Sequence, residues 1–171
     1  QELFRSYGES GTGKRRRYVH DDHEADIYGA EPGTFTKWQQ IETGSDLLFY
    51  EGLHGGVVWN DINMAEEVDL LIGVAPTVNL EWIQKINRDT SERGYRPEDV
   101  MDNIHRRMYD YMHYIMPQFE HTHINFQRIP IVDTSNPFMV RDIPTAEQSL
   151  VLIHFLKDQP SVDYKLNLRG L

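Results

Sequence analysis

Residues 47–55 read Leu-Leu-Phe-Tyr-Glu-Gly-Leu-His-Gly: four apolar or aromatic positions, a single carboxylate at Glu51, and then a glycine-loosened turn. A short apolar run bounded by turn formers is the pattern of a strand buried on both faces, and such strands belong to parallel sheets covered by helices. In open α/β sheets ligands bind beyond the carboxyl ends of the strands, so an acid delivered there can reach a metal ion, a phosphate or a water between them. That is a Walker-B-like position for Glu51. The same acid could simply cap a turn, and this stretch alone does not separate the two readings.

A second run, Asp69-Leu70-Leu71-Ile72-Gly73-Val74-Ala75, predicts another buried strand, with Pro76 following it. Lys85, Arg88, Asp89 and Arg93 come next, at spacings of three and four that place them on one side of a helix. The ordinary meaning of that pattern is a salt-bridged solvent face. The other is a phosphoryl-transfer site, where charge spreads over phosphoryl oxygens and cations plus a metal-holding acid neutralise it.

Pro97 opens the clearest helix, since proline suits the first turn and Glu98 and Asp99 suit the positive end of the helix dipole. Val100, Ile104, Met108, Tyr111, Met112 and Ile115 recur at helical spacing as a core stripe, and Pro117 is expected to end the run. Arg106 and Arg107 lie off that stripe, as adjacent arginines on a solvated face would. Residues 124–130 and 149–155 predict further strands around the turn-rich segment 133–137. The length suggests one domain over residues 1–171, and its glycine, charge and turn formers make it loop-rich to about residue 36.

Within that loop-rich stretch, Gly8-Glu9-Ser10-Gly11-Thr12-Gly13-Lys14 has the glycine and lysine spacing of a phosphate loop. Arg15 stands where the motif needs Ser or Thr for magnesium, and the preceding residues are too few and too polar for a buried strand, so the match is read as a look-alike. The abrupt change from Lys14-Arg15-Arg16-Arg17 to the acidic 21–26 segment predicts a solvated loop with internal charge pairing, or a loop presenting cations to a phosphorylated sugar.

Composition limits the function classes. With 171 residues, 39% of them apolar, the chain can bury one domain core, and its mean hydropathy of −0.58 marks a polar protein. A net charge of −10 argues against general nucleic-acid or anionic-membrane binding. No apolar run approaches the roughly 20 residues of a membrane span. The absence of cysteine fits a reducing, cytoplasmic location. The histidines suggest a rival, zinc chemistry through His20, His23, His54, His121 and His123, but neither a His-Glu-x-x-His pair nor a cysteine ligand supports it.

Taken together the motifs resemble the phosphoribulokinase family, bacterial type. The resemblance runs from Phe4-Arg5-Ser6-Tyr7 through Tyr18-Val19-His20-Asp21-Asp22, Glu51-Gly52-Leu53-His54, Asn79-Leu80-Glu81-Trp82 and Lys85 to Arg93, on to Phe126-Gln127-Arg128 and Asp133 to Phe138. Across about 150 positions it is far more specific than a short pattern. It implies an α/β fold, a P-loop kinase-like mixed sheet with flanking helices, incomplete at the N-terminus, and ATP- and Mg2+-dependent phosphorylation of ribulose 5-phosphate at its 1-hydroxyl, the step that makes the carbon-fixation acceptor. It further implies Glu51 on the Mg-ATP side, Lys85 at the transferring group, Arg88 and Arg93 on phosphate, Asp89 in a metal or sugar-hydroxyl network, and Tyr18, His20 and His54 toward the sugar phosphate.

By the same resemblance the protein forms a homo-oligomer, Arg106 and Arg107 lie near subunit contacts or effector routes, and His154 occupies a place where an arginine linked to NADH response is expected. The family's own phosphate loop and catalytic-base aspartate lie ahead of anything resembling Gln1, while residues 164–171 drift from the family pattern. The chain is therefore expected to be an internal piece, inactive by itself. Two alternatives stay open: a non-catalytic sugar-phosphate-binding or regulatory module, and a related uridine-kinase-like phosphotransferase.

Overall fold

The computed structural model describes residues 1–140 and 142–156, so the expectation for residues 164–171 lies outside the described residues. The chain forms two compact units, one of residues 1–55 and 59–69, the other of residues 56–58 and 70 onward.

In the first unit, α1 (Glu2–Ser10) ends at Gly11, whose φ of 67° is the left-handed conformation glycine adopts without strain. Arg5 pairs with Glu67 of the 3-10 turn Ala65–Glu67, and Gln1 donates to the same carboxylate at 3.0 Å. β1 (Lys14–Arg15) pairs antiparallel with β2 (Gln39–Gln40), extended by a bridge between Tyr18 and Phe35. Between them α2 (Asp22–Tyr28) starts at Asp21, whose carboxylate accepts the Glu24 N–H at 2.9 Å. β3 (Val58–Trp59) and β4 (Ile62–Asn63) make a short hairpin.

The expected charge pairing in the first unit takes another form. Arg16 stacks over Phe35 and Trp38, at 4.2 and 4.6 Å from the ring centroids, and Arg17 lies over Tyr28 at 5.2 Å. Among the described residues no ion pair joins these arginines to the acidic 21–26 segment. Exposed guanidiniums gain more from a desolvating ring face than from a screened surface carboxylate.

The second unit holds a three-stranded mixed sheet in the order β5-β6-β7. β5 (Ile72–Ala75) is parallel to β6 (Ile124–Pro130), which is antiparallel to β7 (Ser149–Phe155). Parallel neighbours need a long crossover, and α3 (Val78–Ser91) and α4 (Pro97–Asp110) supply it. Leu80 and Ile83 of α3, Val100 and Ile104 of α4 and Ile124 of β6 are buried. Gly73 is required where it stands: a Cβ there would collide with the Asn125 amide and the Phe119 ring. Asn125 is itself satisfied by the Thr122 hydroxyl at 2.8 Å and the Phe119 carbonyl at 3.1 Å.

Three expectations are corrected. Residues 47–50 form no strand, and Leu47 and Phe49 are 77% and 82% exposed. A strand exists only through pairing, and among the described residues this run has no ladder partner. β5 is a strand but not a buried one, since it forms an edge of the sheet with Ile72 and Val74 exposed. Pro117 does not stop the helix; α4 widens into a π turn at Tyr111–Ile115 and tightens into a 3-10 turn at Met116–Glu120 that holds Pro117 in its first turn. Met112 of the core stripe is exposed in consequence.

Candidate functional site

The densest charged cluster is built by α3. Asp89, only 4% exposed, lies one turn beyond Lys85 and one turn before Arg93. Its Oδ2 accepts from Lys85 Nζ at 2.6 Å, and its Oδ1 accepts from Arg88 Nε and Arg93 Nη1, each at 3.0 Å. Helix periodicity brings in Lys85. Arg93 keeps the same four-residue spacing just past the end of α3, where Gly94, at φ 70°, turns the chain and the Tyr95 N–H closes on the Asp89 carbonyl at 3.0 Å. Burial pushes the Asp89 carboxyl up, but hydrogen bonds from Lys85 and Arg88 and their charges outweigh it and hold the group below its ordinary range.

The four residues expected on one helix side are thus brought together, with Asp89 as the shared acceptor. The metal expectation for Asp89 does not fit this donor set: a carboxylate ringed by three cationic groups organises a site for an anion, not for a divalent cation. The bonds to Asp89 occupy one N–H of each guanidinium, leaving further donors on Arg88 and Arg93.

The base of α3 is fastened on several sides. The Thr77 hydroxyl donates to the Arg128 carbonyl at 2.7 Å, and the Asn79 amide to the Thr134 carbonyl at 2.9 Å. Trp82 stacks on Phe138 at 5.5 Å with His105 of α4 edge-on to both, and the Tyr111 hydroxyl donates to Glu81 at 3.0 Å. Burial and the Glu81 charge push the Tyr111 hydroxyl up, so it remains a donor. These tertiary ties had no signal in the linear pattern.

Glu51 lies in the first unit, exposed, in an irregular segment just before the turn that begins at Leu53 rather than at a strand end. Tyr50 anchors the approach to that turn by packing edge-on against Phe4 at 5.1 Å and folding its ring over Gly52, where an added Cβ would displace the ring. His54 is exposed in the same turn.

Tyr18 and His20 do meet, ring centroids 5.1 Å apart. Glu24 joins them by hydrogen bonds to His20, and the pattern Asp21-x-x-Glu24 resembles a capping box that sequence reading could have caught. Arg106, Arg107 and His154 are all exposed, with His154 opposite Asn125 in the β6–β7 register. Among the described residues no three His, Asp or Glu side chains form a metal-ligand group, and His123 uses Nδ1 to accept the Leu71 N–H at 2.9 Å.

The phosphate-loop look-alike is excluded by its surroundings. A phosphate loop precedes a helix and uses that helix's N–H groups, whereas residues 8–10 form the last turn of α1 and residues 11–14 run past its carbonyl end into β1.

Comparison with known proteins identifies the family. The model of the Phosphoribulokinase / Uridine kinase family matches residues 1–135. A phosphoribulokinase of Xanthobacter flavus is 57% identical over 163 residues, covering 95% of this chain and 56% of its own length. The plasmid phosphoribulokinase of Cupriavidus necator is 59% identical over 155 residues, covering 91% and 53%. The solved structure of the phosphoribulokinase from Rhodobacter spheroides aligns with a TM-score of 0.79 at 53% identity, covering 94% of this chain and 55% of that one. The chain spans about half the length of the curated relatives it matches.

Proposed function

Since the chain belongs to the phosphoribulokinase and uridine kinase family, we propose that the protein carrying it transfers the γ-phosphoryl group of ATP to the 1-hydroxyl of ribulose 5-phosphate. The observation that supports this most directly is the buried Asp89 with Lys85, Arg88 and Arg93 fastened to it. Phosphoryl transfer asks a protein mainly for pre-positioned charge, and a buried carboxylate that fixes three cations spares them reorganisation when charge develops. Arg88 and Arg93, with planar donor forks, suit the phosphate of the sugar; Lys85, a compact point charge, suits the group in flight.

Asp89 in this reading orients cations and is not a metal ligand. Glu51, exposed just before the turn at Leu53, is the carboxylate that fits magnesium, which is commonly held by one or two protein carboxylates together with substrate phosphates. Bound Mg-ATP supplies the phosphoryl group and neutralises its leaving oxygens. Tyr18, His20 and His54 complete the sugar-phosphate side. The proposal further includes a cytoplasmic homo-oligomer whose activity responds to NADH.

In the complete enzyme, Glu51→Ala is expected to lower kcat far more than it raises KM for ribulose 5-phosphate, because a group on the metal acts on the transition state. Arg93→Ala is expected mainly to raise that KM. A normal kcat removes Glu51 from the site, and an unchanged KM returns Arg93 to the solvated face.

A further inference from the structure

One oxygen of Glu24 accepts two hydrogen bonds from a single residue. Its Oε2 lies 2.8 Å from the backbone nitrogen of His20 and 3.0 Å from the ring Nδ1. An ionised carboxylate cannot donate, so the hydrogen of the second bond must sit on Nδ1, which leaves Nε2 as the open nitrogen of the ring. The hydrogen bonds from the His20 backbone and then from its ring hold the Glu24 carboxyl below the usual range, consistent with that ionised state.

Glu24 is held in turn. Its own N–H is bonded to the Asp21 carboxylate at 2.9 Å in the first turn of α2, so Asp21 fixes its backbone while its side chain reaches back one residue beyond the cap. Tyr18 stands edge-on to the imidazole at 5.1 Å and 79°. The backbone of His20, its ring nitrogen and one ring contact are all constrained, yet the imidazole side chain is 68% exposed. Such tethering is unusual for an exposed side chain, and it keeps a polar nitrogen accessible in a defined tautomer.

We propose that Glu24 is a positioning residue for the sugar phosphate: it locks His20 as the Nδ1–H form and presents Nε2 to the substrate's phosphate. The inference rests on the reading above that Tyr18 and His20 face that phosphate. When the sugar phosphate binds as its monoanion, its remaining proton passes to Nε2, so the ring becomes a cationic donor to the resulting dianion, and the Glu24 carboxylate offsets the added charge across the ring. Glu24 itself touches no substrate.

The test couples a spectroscopic signature with kinetics in the complete enzyme. Ring 15N shifts of His20 should report Nδ1–H in the unmutated protein and a shift toward Nε2–H in Glu24→Ala, with KM for ribulose 5-phosphate raised roughly tenfold and kcat at saturating sugar little changed. Glu24→Gln keeps an oxygen able to accept the same two N–H groups, so it should restore the tautomer and recover part of KM, even if the alanine variant loosens α2. A tautomer unchanged in Glu24→Ala, or a KM unchanged by it while His20→Ala raises KM, overturns the positioning role and leaves the sugar-phosphate reading standing. An unchanged KM in His20→Ala removes both.

Discussion

Asp89 is the residue on which the candidate site depends energetically. It is nearly fully buried, whereas the side chains of Lys85, Arg88 and Arg93 remain 32%, 47% and 54% exposed, so water pays part of the solvation of the cations and almost none of the anion's. Hydrogen bonds to a charged partner are worth about 1.5–3 kcal/mol, and Asp89→Asn should destabilise by an amount of that order while leaving three cations facing one another. The sign of the pH dependence follows from the direction of the shift. A carboxyl depressed in the folded state contributes its stability above its unfolded pKa of about 3.9 and loses it as pH falls through the folded value. The melting-temperature gap between unmutated protein and Asp89→Asn should therefore be constant from pH 7 to about 5 and close below about 4. A gap that persists undiminished at pH 2.5 would show that the carboxylate charge is not what holds the cluster. At this scale the sequence was readable where helix period governs: Lys85 to Asp89 is one turn. The tie from Glu24 to His20 was readable only as far as the Asp21-x-x-Glu24 cap, because the side chain reaches one residue beyond it, whereas Arg93 keeps the four-residue spacing to Asp89 although α3 ends at Ser91.

Secondary-structure elements were legible in proportion to how locally they are determined. α4 begins at its proline with Glu98 and Asp99 in the first turn, as composition dictates, and β6 and β7 occupy the predicted positions. An apolar run, by contrast, states only a demand for partners, and residues 47–50 show that demand unmet. The glycine run of residues 8–14 makes the reverse point, since spacing alone suggests a phosphate loop while the element order forbids it. Gly11 caps α1 with its N–H on the Tyr7 carbonyl, and Lys14 is tied into β1 opposite Gln40. Lys14→Ala in the complete enzyme is accordingly expected to leave KM for ATP within about twofold, and the 171-residue chain assayed alone should release no ADP in a coupled assay. A collapse of ATP affinity on removing Lys14, or turnover by this chain alone, would restore the loop to the chemistry.

At the scale of the whole molecule, the division into two units was only partly visible in the sequence: the crossing at residues 69–70 coincides with the start of the Asp69–Ala75 run, whereas the excursion at residues 56–58 interrupts no composition pattern. Its net charge of −10 has a functional consequence: an anionic effector such as NADH gains nothing from the overall field and must find cations locally. The position for which the family resemblance expects an arginine holds His154, exposed on β7 at the outer edge of the described sheet. A guanidinium offers a permanent charge and a planar fork to a dinucleotide phosphate; an imidazole offers at most one N–H on each side and no permanent charge. The exposure of His154 means that an arginine there would meet no steric obstacle, so the substitution isolates the chemistry of the head group. His154→Arg is therefore expected to strengthen NADH activation of the complete enzyme, lowering the half-activating concentration by roughly tenfold at pH 8, with the basal rate unchanged. Activity measured against NADH concentration in both forms decides it. Equally strong activation with and without the substitution would mean that the effector is held elsewhere and that His154 is an exposed strand residue with no part in regulation.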